Sequence, residues 1–374
     1  MVVSAAVRAG YAWSVRRSES RAWREIMSMT GVVNALRGAA VPALSPVEFV
    51  DRLSRPLKQL APDVFGDDRL GWITVLEWDE LRDDVHSDGC SVIVDLLAEG
   101  DRGRGWLPSW TWLQQEVVQN EAFTQIKTGA TEETYVARRR FVIDNPVGGA
   151  GSLADLCSQA GIAPPVPYVP IPPDRLYDGH YWWPCPTCRW PMRVTGASVR
   201  CSYLPHNAAY FVRDSSGPTP RLRRRDETVP RQPGARRWVA AGEERTLCVE
   251  LPVWRYMVVP GVEELALFTR WFGVSDLLDV ALWPGQDAYD LRFEIASTNW
   301  TMALDLKDVA SAGALADKVR SKPLAARTIV LPDHRGTAHQ AELSDLLPGY
   351  EVLLVSDVHK AVGKALARAR RSSR

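Results

Sequence analysis

The sequence predicts an α+β, multidomain chain: an α-β-β-β-α-β core in the last third, a small cysteine-stapled module in the middle and a mainly helical N-terminal region. Three observations carry this. After residue 261, helix-period and strand-period apolar patterns alternate. Between residues 185 and 206, three cysteines and a histidine stand at short spacing among prolines. Ahead of both lies the helix-start signal Ser45-Pro46-Val47-Glu48. A length of 374 residues suits two or three domains, and the composition shifts put boundaries at 150/151 and 247/248.

In residues 1–150, Ser45 and Glu48 form a capping box with Pro46 at the first helical position, which predicts a helix through about Leu60. The run from Leu70 to Leu76 reads as helix or strand. Trp106, Trp110 and Trp112 can stack on bases, but core packing is the stronger expectation. Arg138-Arg139-Arg140 precede the apolar Phe141-Val142-Ile143. Gly148-Gly149-Ala150-Gly151 lacks the rest of a phosphate-binding loop and reads as a linker. Arginines interrupt any apolar core of a signal peptide in the first 24 residues. With Met27 or Met29 as alternative starts, the residues before them read as unstructured extension.

In residues 151–247, Cys185 and Cys188 make a Cys-x2-Cys knuckle, Cys201 follows after twelve residues, and His206 completes a tetrahedral Cys3His set. Thiolate and imidazole donors suit Zn2+, and a closed shell of four leaves no place for a reacting water. A ribbon this small buries too little apolar surface to fold without such a staple. His180, Cys157 and Cys248 are alternatives for the fourth ligand. No glutamate base accompanies the knuckle, so the expected role is structural. Pro164–Pro173 and Pro218–Arg237 read as flanking linkers. The second of these crowds Arg221, Arg223, Arg224, Arg225, Arg236 and Arg237 into one segment, as either a solvated linker or a track for phosphates.

In residues 248–374, Gly261–Trp271 reads as a helix with Val262, Leu265, Ala266 and Trp271 on its apolar side. Leu277–Trp283 reads as a strand. Asp290-Leu-Arg-Phe-Glu294 and Ala303-Leu-Asp305-Leu-Lys307-Asp308 then form a hairpin about Thr298, with paired positions summing to roughly 596. Residues two apart share a face, so Asp305 and Lys307 point one way. A one-residue shift in register sets Asp290 beside Asp305. Such a group can hold a divalent cation against a phosphate and put an ammonium next to an attacking water. The plainer reading is a charged, solvated face. A helix from Ser311 (its cap) to Arg320, a strand Arg327–Leu331, a helix Thr337–Leu347, a strand Tyr350–Val355 and a basic helix from about Val358 complete the pattern. Lys364, Arg368, Arg370, Arg371 and Arg374 load the last helix.

Hydrophobic content of 46% and 15 tryptophans permit well-filled cores. The 45 basic and 45 acidic residues cancel, so the chain is no general nucleic-acid coat. Cysteines confined to one cluster or scattered singly suit a reducing cytosol, and no apolar stretch reaches the ~18 residues of a membrane span. Neither an ATPase loop nor a Gly-x-Ser-x-Gly elbow is present.

With these residues in view, the chain resembles the PD-(D/E)XK, or restriction-endonuclease-like, nuclease superfamily over about its last third. More narrowly it resembles the nuclease of the prokaryotic PIWI-RE three-gene island family. The resemblance implies Asp290 as the first metal-binding acid, Asp305 and Lys307 as the acid and lysine of the D/E-x-K, and Glu263 or Glu264 as an acid on the first helix. The lead-in Trp283-Pro-Gly-Gln-Asp-Ala-Tyr-Asp290 is similar to the family's, although proline does not directly precede the acid, which leaves Asp287 as the alternative ligand. Cys-Pro-Thr-Cys188-Arg-Trp-Pro-Met after Tyr168-Val-Pro-Ile-Pro172 resembles the region upstream. The expectation is a cytoplasmic Mg2+- (or Mn2+-) dependent endonuclease acting on DNA in defence against plasmids or phage. Asp290, Asp305 and the Leu306 carbonyl would be its metal ligands, and Asp308 and Glu294 their neighbours. Its implied partners are a PIWI-RE protein and a DinG-type helicase. A catalytically inactive zinc-ribbon adaptor and an RNA-processing nuclease are the alternatives.

Overall fold

The computed structural model describes residues 2–16, 20–38, 40–65, 69–72, 74–77, 80–81, 112–213, 219–309 and 312–372. Trp106, Trp110, Pro218, Ser311 and Arg374 lie outside the described residues. The chain divides into two compact units, residues 1–115 with 309–314 and residues 116–308 with 315–374.

In the first unit, α1 (Val2–Val15), α2 (Ala22–Arg37) and α3 (Pro46–Arg52) surround a core that includes Val3, Val7, Ile26, Val33, Phe49 and Leu53. Residues 2–15 are therefore a packed helix rather than an extension: their valines and alanines bury a full apolar side. Gly10 permits the close approach there, since a Cβ would stand 2.7 Å from a Val75 methyl. The capping box forms as expected, with the Glu48 carboxylate accepting from Ser45 N at 2.8 Å and Ser45 Oγ accepting from Glu48 N at 3.3 Å. The helix stops at Arg52 and not near Leu60. Pro56 lacks an N–H and disfavours helix in the residue before it, so a separate turn Leu57–Leu60 begins after it. The stretch 70–76 splits into a 3-10 turn, Arg69–Trp72, and a short strand, β1 (Leu76–Glu77), paired with β2 (Glu80–Leu81).

The second unit is built on a five-stranded mixed sheet. Its order is β12 (Asp279–Leu282), β13 (Leu291–Ile295), β14 (Trp300–Leu306), β15 (Thr328–Leu331) and β16 (Glu351–Leu354). The first three strands run antiparallel and the last three parallel. Around this sheet stand α7 (Val259–Trp271), α8 (Ala312–Ser321), α9 (Gly336–Leu346) and α10 (Val355–Ser372), in the α-β-β-β-α-β-α-β-α order read from the sequence. α10 shows why: Val355, Val358, Val362, Leu366 and Ala369 bury one stripe, and Lys364, Arg368, Arg370 and Arg371 face water. The hairpin register is one residue tighter than the sum of 596, with Leu291 opposite Leu304 and Ile295 opposite Trp300. This brings Asp290 level with Asp305.

On α7 the buried stripe is Val259, Gly261, Glu264 and Leu267, while Val262 and Leu265 are half-buried and Ala266 is exposed. The stripe differs from expectation because α5 (Glu132–Asp144) crosses at Gly261, where a Cβ would fall 2.3 Å from Ile143 Cδ1. A glycine and a buried acid on the inner face hide it from an apolar-periodicity count.

Residues 116–150 contribute the end of α4 (Trp112–Lys127) and α5 to this same unit. The glycine run after them is no linker. β3 (Val147–Gly149) pairs with β11 (Thr246–Val249), which pairs in turn with β4 (Tyr168–Pro170), and α6 (Ala150–Gln159) follows at once. Both sequence boundaries, 150/151 and 247/248, fall in or beside this one sheet. The arginine segment is also structured. β9 (Arg221–Arg224) closes a four-stranded sheet after β6 (Arg193–Thr195), β7 (Ser198–Arg200) and β8 (Ala209–Arg213), with Leu222 turned inward. β10 (Arg236–Arg237) pairs with β5 (Tyr181–Trp182). One apolar core runs from Ala122 through the cysteines to Ala369. Trp190 stacks on Trp254 at 4.5 Å and donates to the Val249 carbonyl at 3.0 Å.

Candidate active site and cysteine cluster

Asp290 sits at the foot of β13, fixed by its backbone on both sides: Trp283 N donates to Asp290 O at 2.9 Å, and Asp290 N donates to Leu304 O at 3.1 Å. Its Oδ2 accepts from Leu306 N at 2.6 Å. Asp305 follows on β14 and Lys307 comes directly after its end, where Lys307 N donates to Val330 O at 2.8 Å, so both neighbouring strands hold this end. Lys307 Nζ lies 3.1 Å from Asp305 Oδ1 and 3.7 Å from Asp290 Oδ2. Both aspartates are 6% exposed. Asp305 Oδ2 is buried with no hydrogen-bond partner. A buried carboxylate oxygen left unpaired is costly unless a donor or cation meets it.

A second half of the cluster is assembled by an arginine that the sequence reading did not single out. Arg139, on α5, is 3% exposed. Its Nη2 is 2.8 Å from Glu264 Oε2 and 4.0 Å from Asp290 Oδ1, and its Nη1 donates to Asp287. Its guanidinium lies 4.3 Å from the centre of the Trp283 ring, and Trp283 Nε1 donates to Glu264 Oε2 at 2.5 Å. Of the two glutamates, Glu264 is the one brought to this group. Glu263, one position round the helix, is under the influence of His334, Asp333, Asp308 and His206 instead. Asp287 is held by Arg139, while Asp290 is the acid that meets Lys307. Glu294 pairs with Arg292 at 3.6 Å, on the half-exposed face. Tyr135, Arg139 and Val142 share the buried side of α5, and that i, i+4, i+7 spacing beside Phe141–Ile143 is the signal that could have found the arginine.

The lead-in to Asp290 is locally strained. Trp283, Gly285, Gln286 and Asp287 all have left-handed φ, from 48° to 75°. Three of them carry side chains, at about 1 kcal/mol or more each, a pattern that gathers where a site is shaped.

Electrostatics follow from burial. Burial pushes Glu264 up to about 8, opposed by Arg139 and assisted by Asp290 and Asp287. Burial likewise raises Asp290 against the pull of Lys307 and Arg139. Burial works against the Lys307 ammonium, but Asp290 and Asp305 overcome it and hold the lysine protonated above its ordinary range. Asp308, next along the chain, loses to burial but gains more from His334, Arg335 and Arg255, which leaves it well below the usual carboxylate range. Arg335 reaches it at 2.8 Å and the Tyr203 hydroxyl donates to it.

A divalent cation would suit this donor set: Asp305 Oδ2 is the unpaired buried oxygen of the two aspartates, and the Lys307 ammonium stands beside both acids.

The cysteine cluster is a separate centre. Donor atoms of Cys185, Cys188, Cys201 and His206 all lie within 4.8 Å of one another, and the group can hold a metal such as zinc. Cys188 and Cys201 sulphurs are 3.9 Å apart, and His206 Nδ1 is 3.4 Å from Cys201 Sγ and 3.6 Å from Cys185 Sγ. A tetrahedral shell with Zn–S bonds of about 2.3 Å has S···S edges of about 3.8 Å, so the spacing fits Zn2+. Cys157, Cys248 and His180 are not part of the group. Trp254 Nε1 donates to Cys188 Sγ at 3.2 Å, and the Tyr203 ring packs edge-on against His206 at 4.7 Å. Tyr203 therefore joins this centre to Asp308, the residue after Lys307.

Arg221, Arg223, Arg224, Arg225, Arg236 and Arg237 are all exposed. Arg225 pairs with Asp226 at 2.9 Å, and Arg236 lies over the Trp182 ring at 5.4 Å. Among the described residues, no helix is long and apolar enough to cross a membrane.

Two family models match the chain. One, described as "REase associating with pPIWI_RE", where REase denotes a restriction endonuclease, covers residues 261–370. The other, described as "pPIWI_RE three-gene island domain Y", covers residues 1–149. Neither the curated proteins nor the solved structures contain a match. The first segment holds Glu264, Asp287, Asp290, Asp305 and Lys307, and the second holds Arg139.

Proposed function

We propose that this chain, which belongs to the pPIWI_RE three-gene island family and carries a restriction-endonuclease-like domain, is a Mg2+- (or Mn2+-) dependent endonuclease hydrolysing phosphodiester bonds in DNA. The observation that carries the reading is that Lys307 stands beside both Asp290 and Asp305 while the buried Asp305 Oδ2 has no hydrogen-bond partner. Asp290 and Asp305 would hold the cation, with the Leu306 carbonyl as a further ligand. When bound, the cation neutralises charge on the scissile phosphate and lowers the pKa of a water. Lys307, kept protonated by two carboxylates, orients that water or offsets charge growing on the phosphate. The Leu306 N–H bond to Asp290 keeps the two acids in register, so the site is arranged before substrate arrives.

The cysteine cluster serves as a structural Zn2+ centre, as a closed set of four ligands has no open position. Exposed arginines on β9 and β10 track phosphates. Island membership implies association with the other island proteins. The partners proposed are a PIWI-RE protein and a DinG-type helicase, in a cytoplasmic defence against plasmids or phage. The chain's zero net charge gives weak binding of its own to nucleic acid, which suits a nuclease delivered by partners.

Purified protein incubated with single- and double-stranded DNA and RNA, with and without Mg2+, tests the proposal. Mg2+-dependent cutting of DNA supports it. Cutting of RNA alone supports the RNA-processing alternative, and no cutting under any condition, partners included, supports the adaptor.

A further inference from the structure

Arg139 lies in the segment matched by the island domain Y, outside the nuclease-matched residues, yet its charge ends inside the acid cluster. Four carboxylates gather there: Glu264, Asp287, Asp290 and Asp305. Arg139 and Lys307 are the two cations against them, on opposite sides of Asp290. With all four ionised, as Glu264 is above about pH 8, the remainder is two negative charges and matches one divalent ion; with Glu264 protonated it is one, which leaves still less for a second. A second divalent ion would invert the charge of a buried site at high desolvation cost.

The arginine cannot step aside. Its side chain is 3% exposed, seated on the Trp283 ring and within 3.4 Å of the Tyr135 hydroxyl. Nor can it shed its proton. Both its amino groups are committed, one to Asp287 and the other to Glu264. Asp305 Oδ2, on the Lys307 side, has no such partner.

We infer that Arg139 is a resident cation of the acid cluster: seated with its two amino groups on Glu264 and Asp287, it limits the cluster to a single divalent ion, held by Asp290 and Asp305. Arg139 is thus a positioning residue supplied from outside the nuclease-matched segment. The inference rests on the nuclease reading above and adds its stoichiometry.

Mn2+ binding to the full chain, with its zinc loaded, tests this by calorimetry and by the electron paramagnetic signal of free Mn2+. Wild type should bind one Mn2+ per chain. Arg139→Gln should bind a second, or tighten the first about tenfold or more, because one repelling charge has gone. Arg139→Lys should restore single binding. A residue that merely props the fold would move affinity the other way on substitution. Unchanged or weakened single binding in Arg139→Gln, or two ions in wild type, overturns the inference and leaves the nuclease reading standing. No Mn2+ on wild type overturns both. Should Arg139→Gln not fold, the Arg139→Gln/Glu264→Gln pair, charge-balanced above about pH 8 and measured there, keeps the test. It should bind one Mn2+ within about threefold of wild type, and loss of binding there also overturns the inference.

Discussion

Replacing Glu264 with glutamine should make the metal-free protein more stable at neutral pH while removing a member of its acid cluster. Glu264 is 1% exposed, so solvent screening does not dilute the effect. Burial raises its pKa from 4.5 to about 8. Between those values the folded chain binds more protons than the unfolded one, so stability falls as pH rises from about 4.5 to about 8 and is level beyond. At pH 7 the loss spans about 2.5 pH units at about 1.4 kcal/mol each, or about 3 kcal/mol. Glutamine keeps the shape and carries no such penalty. Urea or thermal unfolding of both proteins, from pH 5 to pH 9 in Mg2+-free buffer, measures the difference. The variant should gain about 3 kcal/mol on wild type between pH 5 and pH 8, roughly 6 °C or more in midpoint for a unit of this size. Other groups titrate alike in both proteins and cancel. Curves that stay parallel across that window would refute the reasoning, since Glu264 would then be an ordinary carboxylate held by Arg139.

Lys307→Met should lower the cleavage rate by about a hundredfold or more, because a charge aimed at the reacting phosphate is lost; single-turnover assays on DNA check this. Cys188→Ser should release zinc, measured by elemental analysis. It should also lower the unfolding midpoint of the whole second unit, because Trp254 on the nuclease side bonds that sulphur. Arg221→Ala and Arg223→Ala should each weaken DNA binding evenly across sequences and reduce the salt slope by about 1, read from binding curves at several salt concentrations.

The sheet was legible because its strands are apolar on one or both faces and its helices keep a 3.6 period, so the order from α7 to α10 follows from pattern alone. Asp290, Asp305 and Lys307 could be placed by strand parity, and the structure brings them together at a register one residue tighter than the turn suggested. Spacing also identified Cys185, Cys188, Cys201 and His206 as one group. Helical spacing could have shown Arg139 to be buried, but not its partners, which lie 125 and 148 residues further along the chain, a pairing that local periodicity cannot report. The joined core was hidden for a similar reason. Glycine and proline runs at 148–151 and 218–237 signal linkers locally, but β3, β9 and β10 use them as short paired strands. Hydrogen-bond partners from distant segments decide such strands, and composition does not record them.

The central claim is that Asp305 and Asp290 hold a divalent cation for phosphodiester cleavage. Single-turnover cleavage of DNA by wild type and Asp305→Asn, across a Mg2+ titration and with the island partners present, tests it most directly. Asparagine preserves the size of a side chain that is 8% exposed and removes its charge beside Lys307. The account predicts Mg2+-dependent cutting by wild type and a rate about a thousandfold lower in the variant, with the zinc content and unfolding cooperativity of both proteins alike. Cutting by Asp305→Asn at the wild-type rate, or by wild type without any divalent cation, would contradict it.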